Sequence, residues 1–331
     1  MPSQSIIITT IFKPLPHHFD IGKEAKKRHI QFIIIGDAKT PKDYHLDEAE
    51  YYNIDRQVHE FSDFARILPF NHYSRKNIGY LVAIKNGSRI IHETDDDNIP
   101  YPSFYDEQPE EMKIDIYKSQ KWLNVYSLFS KENIWPRGLP LDYLKNNESI
   151  LKTQVKIIKP IIIQGLADQN PDVDAIYRFV GKLPVSFDKN KIIAIEKNTW
   201  CPFNSQNTIF KKEGFPLLYL PSYCSFRMTD IWRSFIAQRC IWQLDSNLVF
   251  HSPTVYQERN VHSILKDFEQ EIPGYLENDK IIDVLEGVHF QTKNVHENLL
   301  VCYEKLIQNG FFPKKEIELV EMWIKTINML D

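Results

Sequence analysis

Several kinds of feature are missing from this sequence. Its four cysteines, Cys201, Cys224, Cys240 and Cys302, are scattered, with no CxxC pair and no zinc-like spacing. Reduced thiols, and with them a cytoplasmic protein, are the expectation. No apolar run approaches the roughly 18 residues that cross a bilayer. The longest candidate, VKIIKPIIIQGLA, is broken by Lys159, Pro160 and Gln164. The N-terminal MPSQSIIITTIF has no basic segment before its short apolar block, so neither a secretory signal nor a membrane span is expected. A formal net charge of −4 without a long basic stripe argues against duplex nucleic acid as the partner. Internal repeats, low-complexity segments and a Gly-rich phosphate loop near the N-terminus are also missing, and the last of these argues against a nucleotidyltransferase.

What is present describes a globular chain. Its 331 residues suffice for one large domain or two ordinary ones. Hydrophobic residues at 43% and charged residues at 25% are in ordinary balance. With 16 Tyr, 20 Phe and 6 Trp, a large core and an aromatic stacking surface are expected.

SIIITTIF, bounded by Ser and KPLP, reads as a buried strand, and HIQFIIIGDAKTP as a second that ends at Gly36 and Asp37. NIGYLVAIKNG has helical spacing and a C-cap at Asn86-Gly87, and SRIIHETDDD follows as a third strand. This order predicts an α/β fold with a partly parallel sheet. Residues 100–150 read as an insertion with little regular structure. VKIIKPIIIQGLADQNPDVDAIYRF reads as strand, turn and helix, and NLVFHSPTVYQ as a strand. CSFRMTDIWRSFIAQRCIWQLD is the clearest helix. Its apolar positions from Ile231 to Leu244 share a face, and Ser225 or Thr229 is placed to cap it. The last sixty or so residues carry helix patterns and predict a helical subdomain, with a boundary drawn between 1–265 and 266–331.

Ligands of such sheets sit beyond the carboxyl ends of the strands. All three N-terminal strands end on polar groups: Thr9 and Thr10, Asp37, and the triplet Asp95, Asp96, Asp97. Adjacent carboxylates repel and raise one another's pKa. A divalent cation, Mn²⁺ or Mg²⁺, would compensate them, with Asp95 and Asp97 on one side of the strand as ligands; a solvated acidic turn is the other reading. Arg75 and Lys76 open a helix whose dipole favours a diphosphate, or else form a solvated first turn. Asp230, in the first turn of its helix, could act as a general base or simply complement the dipole. His251, with His262 as rival, is a candidate third metal ligand, and His17-His18 is left structural. Arg137 in IWPRGLPLD suits a phosphate or carboxylate clamp, or sits on a surface loop.

From about residue 5 to residue 265 the ordered set IIITTIFKP, IIIGDAKTP, RKNIGYLVAIKNGSRIIHETDDDN, IWPRGLPLD, IIQGLADQNPDVDAIYR, PFNSQNTIF, SFRMTDIWRSFIAQR and HSPTVYQERN resembles the STELLO-type glycosyltransferase family. It is more distantly similar to the plant reversibly glycosylated polypeptides, which act as UDP-arabinopyranose mutases. The resemblance implies a GT-A-like, Rossmann-like mixed sheet flanked by helices, with a C-terminal helical extension, that uses a nucleotide sugar and a divalent cation, usually Mn²⁺. It implies Asp95–Asp97 as the metal-binding triplet, with Asp95 and Asp96 also at the nucleotide sugar, and Asp230 as the acidic residue of the DIW motif. Asp37 falls where the nucleobase is commonly held. His251 falls where the mutase relatives have a histidine before Ser, which ranks it above His262. Arg137 resembles the arginine glycosylated in the mutases, although IWPRG is the STELLO form, which favours phosphate clamping. The plant STELLO proteins are anchored in the Golgi membrane, and no anchor is visible here.

The expectation is therefore a metal-dependent glycosyltransferase with a UDP-linked donor and a glycan or other hydroxyl acceptor, with oligomerisation open. A nucleotide-sugar mutase and a catalytically silent binding or scaffold protein are the alternatives.

Overall fold

The computed structural model describes residues 3–145, 149–258 and 263–330. The N-terminal part runs β1 (Gln4–Thr10), α1 (Pro16–Lys27), β2 (Gln31–Gly36), β3 (Glu50–Tyr52), α2 (Ile54–Glu60), α3 (Ser62–Ile67), α4 (Lys76–Lys85), β4 (Ile90–Thr94) and β5 (Asn98–Pro100). The middle carries β6 (Met112–Lys118), α5 (Asp142–Lys145), β7 (Leu151–Ile158), β8 (Ile162–Asp168), α6 (Ala175–Val180), β9 (Ile192–Ile195) and β10 (Asn207–Lys211). Then come α7 (Thr229–Gln243), β11 (Val249–Gln257), α8 (Ile264–Glu286), α9 (Val295–Gln308) and α10 (Glu316–Leu330).

The strands form one mixed sheet in the order β3-β2-β1-β4-β10-β8-β11-β9-β6-β7, with β5 paired to β11. β1 lies parallel to both β2 and β4. The chain leaves β1 toward β2 and β3, then returns through α4 to pair on its other side. That reversal opens a crevice at the carboxyl ends of these strands. The expected α/β, Rossmann-like mixed sheet flanked by helices is what the chain forms.

β1 and β2 are buried on both faces, as parallel central strands are, which is why they read as unbroken Ile runs. One side of the sheet packs against α4, α7 and the C-terminal helices in the main core; α1 covers part of the other side. α1 has no counterpart in the sequence reading. Its inward face is His18, Ile21, Gly22 and Ala25, too small and too polar to register as an apolar period. β6 was hidden within the supposed insertion, although Met112, Ile114 and Ile116 alternate inward along it.

α7 is buried nearly all round, and includes Asp230, Arg233, Ser234 and Gln238 among its covered positions. Neither Ser225 nor Thr229 caps it by side chain; a 3-10 turn at Phe226–Met228 leads in instead. Arg233 is paired with Glu93 of β4 at 2.5 Å in the core, which ties α7 to the strand that carries the acidic triplet. The C-terminal helices join this same core through Cys302, Tyr303, Leu319 and Trp323. Glu316, at the start of α10, accepts hydrogen bonds from the backbone N–H groups of Ser222 and Tyr223, at 3.1 and 2.8 Å respectively.

Candidate functional site

The crevice encloses about 360 Å³ and is lined by Thr9, Thr10, Asp37, Arg75, the three aspartates 95–97, Arg137 and Asp230. Residues far apart in the chain thus meet because parallel strands deliver their carboxyl ends to one edge and α7 starts beside that edge.

β4 ends at Thr94, the chain turns sharply, and Asn98 re-enters the sheet as β5. The three carboxylates consequently have separate partners. Asp95 Oδ1 accepts from Tyr73 Oη at 2.9 Å and lies 3.8 Å from Lys76 Nζ. Asp96 Oδ2 accepts from Thr10 Oγ1 at 2.6 Å, and Asp97 Oδ1 from Gln257 Nε2 at 2.8 Å. The carbonyl of Asp96 meets Nε2 of His17 and of His18 at 2.7 and 2.8 Å, so that histidine pair pins the turn. This is not a solvated acidic turn: Asp97 is 7% exposed and the Asp95 side chain 29%. Burial pushes the Asp95 carboxyl up to about 7; Lys76 opposes the rise and the Asp97 charge adds to it. Burial likewise takes Asp96 to about 6, against the Thr10 hydrogen bond. The negative charge is gathered and only partly compensated.

Arg137 is 5% exposed. Its Nε and Nη2 donate to Asp172 at 2.8 and 2.7 Å, and Nη1 and Nη2 each donate to Asp230 at 3.0 Å. Nη1 also donates to the carbonyl of Arg227. A guanidinium has five N–H groups, and all are taken. Asp230 accepts further bonds from Ser205 N at 3.1 Å and Ser205 Oγ at 3.0 Å. Burial alone would raise its carboxyl, but the Arg137 charge and hydrogen bonds outweigh that and hold it at about 2. A base of that strength accepts protons poorly at neutral pH.

Lys76, Arg75 and Asp37 have partners within the protein, and His251 lies elsewhere. Lys76 is fully buried beneath Asp95 and donates to Tyr73 Oη at 2.9 Å and Thr94 O at 2.7 Å, so it supports the acidic turn from below. Arg75 reaches the crevice wall, yet its N–H groups go to Gln57 Oε1 and to the carbonyls of Ala65 and Leu68. A short 3-10 turn at Tyr73–Arg75 turns both basic side chains inward rather than into a solvated first turn. Asp37 accepts from the backbone N–H of Ala38 at 2.6 Å and of His72 at 3.0 Å. His251 is not in the crevice: it lines a separate cavity with Tyr101 and Lys191, and its Nδ1 lies 2.7 Å from Ser252 O. Strand β11 carries it away from the acidic turn, and Gln257, six residues on, takes the place beside Asp97. His262 lies outside the described residues. Among the described residues no group of three or more His, Cys, Asp or Glu side chains converges on a metal position.

Comparison with known proteins bears on this arrangement. The family model described as STELLO glycosyltransferases matches residues 227–331, from the start of α7 through the helical extension. Two Arabidopsis thaliana proteins align with most of the chain. "Probable glycosyltransferase STELLO1" is 24% identical over 322 residues, 91% of this chain and 42% of that protein. "Probable glycosyltransferase STELLO2" is 26% identical over 320 residues, again 91% and 42%. The chain is STELLO-like. It spans less than half the length of these relatives, and the likeness includes the helical extension rather than stopping at residue 265. No helix among the described residues is long and apolar enough to cross a membrane.

Tyr73, Asp172, Ser205 and Gln257 belong to the site and were not singled out in the sequence. Each lies in or beside a stretch that resembles the STELLO-type family, but a lone Tyr, Asp, Ser or Gln has no distinguishing spacing.

Proposed function

We propose that the STELLO-like chain is a glycosyltransferase that moves a sugar from a nucleotide donor, UDP-linked, to a hydroxyl acceptor, with a divalent cation at Asp95 and Asp97. The observation that carries the reading is the cluster of carboxylates in the crevice at the carboxyl ends of β1, β2 and β4, where burial and the Asp97 charge push Asp95 up against the opposing Lys76. These are hard oxygen donors, and the lack of a full protein cage suits Mg²⁺ or Mn²⁺, which keep waters and take substrate phosphates as further ligands. A bound cation supplies positive charge for the departing diphosphate. Asp37, fixed by two backbone N–H groups, would face the nucleobase, and Thr9 and Thr10 would edge the phosphate path. Asp230 and Arg137 have positioning roles in this reading. Together with Asp172 and Ser205 they brace the wall opposite Asp95, instead of acting as general base and phosphate clamp. Full engagement of Arg137 also weighs against its glycosylation in place, and so against the mutase alternative.

The test is UDP release from UDP-sugars by the intact chain and by Asp97→Ala, with and without Mn²⁺. Mn²⁺-dependent release that the variant loses is expected. Equal, metal-independent rates in both would refute the proposal. Binding of UDP and Mn²⁺ without turnover across a broad donor panel would favour the silent-scaffold reading instead.

A further inference from the structure

A continuous line of hydrogen bonds crosses the crevice floor from the acidic turn to Asp230, and two hydroxyl groups form its middle. Lys76 Nζ lies 2.9 Å from Tyr73 Oη. Tyr73 Oη lies 2.9 Å from Asp95 Oδ1 and 2.7 Å from Ser205 Oγ. Ser205 Oγ lies 3.0 Å from Asp230 Oδ2. An ammonium can only donate, so Tyr73 Oη must accept from Lys76. Tyr73 then has one proton left and two acceptors within reach. Ser205 also has one proton, which Asp230 or Tyr73 can accept.

Two arrangements satisfy this count. In the first, Tyr73 donates to Asp95 and occupies its Oδ1. In the second, Tyr73 donates to Ser205 and Ser205 to Asp230, so every bond from Lys76 to Asp230 runs in one direction and Asp95 Oδ1 is released. We infer that Tyr73 is a positioning residue that guards Asp95 Oδ1 and yields it by turning its proton to Ser205 when a cation engages that oxygen. The occupied acidic turn and the Asp230–Arg137 brace are thereby coupled through two hydroxyl rotations, with no proton changing residue. The inference rests on the cation reading proposed above.

Removal of the Tyr73 hydroxyl has a definite sign. In Tyr73→Phe the buried Lys76 ammonium loses an acceptor, and Asp95 Oδ1, 3.8 Å away, is close enough to replace it. A lysine seated on that oxygen competes with the cation. In Ser205→Ala the Tyr73 proton has no second acceptor and stays on Asp95, a milder competition.

The experiment measures Mn²⁺ affinity by electron paramagnetic resonance of free Mn²⁺, in the presence of UDP, on the intact chain, on Tyr73→Phe, on Ser205→Ala and on the double variant. The metal-free melting temperature of each is recorded beside it. Loss of one hydrogen bond to a charged group predicts affinity about tenfold weaker for Tyr73→Phe and about threefold weaker for Ser205→Ala, with the double variant no weaker than Tyr73→Phe. A purely structural role would lower the melting temperature and leave the affinity unchanged. Affinity within about twofold of wild type for Tyr73→Phe, or single effects that add in the double variant, overturns the inference. If Tyr73→Phe does not fold, an unchanged affinity in Ser205→Ala overturns it alone. A wild-type chain that binds no Mn²⁺ would refute the cation site and this inference together, whereas a wild type that binds and variants that match it would refute only this one.

Discussion

Replacement of Arg137 by Met separates a brace from a phosphate clamp. The guanidinium is buried and gives all five N–H groups to Asp172, Asp230 and the Arg227 carbonyl. Its removal leaves the buried Asp172 and Asp230 with only the weaker charges of Arg227, 3.7 Å from Asp172, and Arg233 beside them; deletion of one partner of a buried pair costs about 3–5 kcal/mol. Part of that figure is visible at Asp230. A carboxyl held well below its ordinary 3.8 by the Arg137 charge and hydrogen bonds contributes stability at neutral pH, on the order of 2–3 kcal/mol. Because the folded value is depressed, this contribution is complete above pH 3.8 and is lost only as pH falls from there to about 2. In Arg137→Met burial is opposed only by the Arg233 charge and the Ser205 hydrogen bonds, so the Asp230 carboxyl rises and its charged form becomes a penalty. Acidification then relieves that penalty, and the variant gains stability relative to wild type as pH falls. Urea unfolding of both proteins at pH 8 and pH 5 measures this directly. The expected result is a loss of several kcal/mol at pH 8 and a smaller loss at pH 5. A loss below about 1 kcal/mol, or one identical at the two pH values, would refute the brace. Unchanged stability combined with weakened UDP binding would restore the clamp.

Three further outcomes follow from the same contacts. His18 is buried as the neutral Nε2–H tautomer, with Nδ1 accepting from Leu15 N and Nε2 at the Asp96 carbonyl; burial holds it at about 4. A lowered histidine costs stability as pH falls below its unfolded 6.5, with the full loss, about 3 kcal/mol, reached near pH 4. His18→Gln, which can both accept and donate, should flatten that acid limb in a pH series of melting temperatures. Deletion of residues 266–331 strips α7 and α4 of Trp323, Tyr303 and Leu319, so the remainder should be insoluble or molten rather than an independent domain, as near-UV circular dichroism would show. Glu316→Ala removes the acceptor for the Ser222 and Tyr223 N–H groups and should lower stability by about 1–3 kcal/mol, with earlier proteolytic release of α10.

The sequence alone determined much of the crevice edge. Ile runs buried on both faces marked β1 and β2, and the apolar period with Asn86-Gly87 marked α4. Polar residues at the strand ends located Thr10, Asp37 and Asp95–Asp97, because strand direction alone decides which end of a parallel sheet binds ligands. Tertiary packing decided the roles of those residues. Arg75, Lys76 and Arg137 are basic residues in turns, and nothing local distinguishes a phosphate clamp from a side chain that serves its own protein. The distinction depends on whether Gln57, Asp95 or Asp172 arrives within hydrogen-bond reach. The same holds for His251, which β11 carries to another cavity, and for Tyr73 and Ser205, 132 positions apart and bonded at 2.7 Å. Periodicity and strand ends are properties of neighbours in the chain and can be read there. Charge compensation depends on neighbours in space, which exist only once the sheet has closed around them.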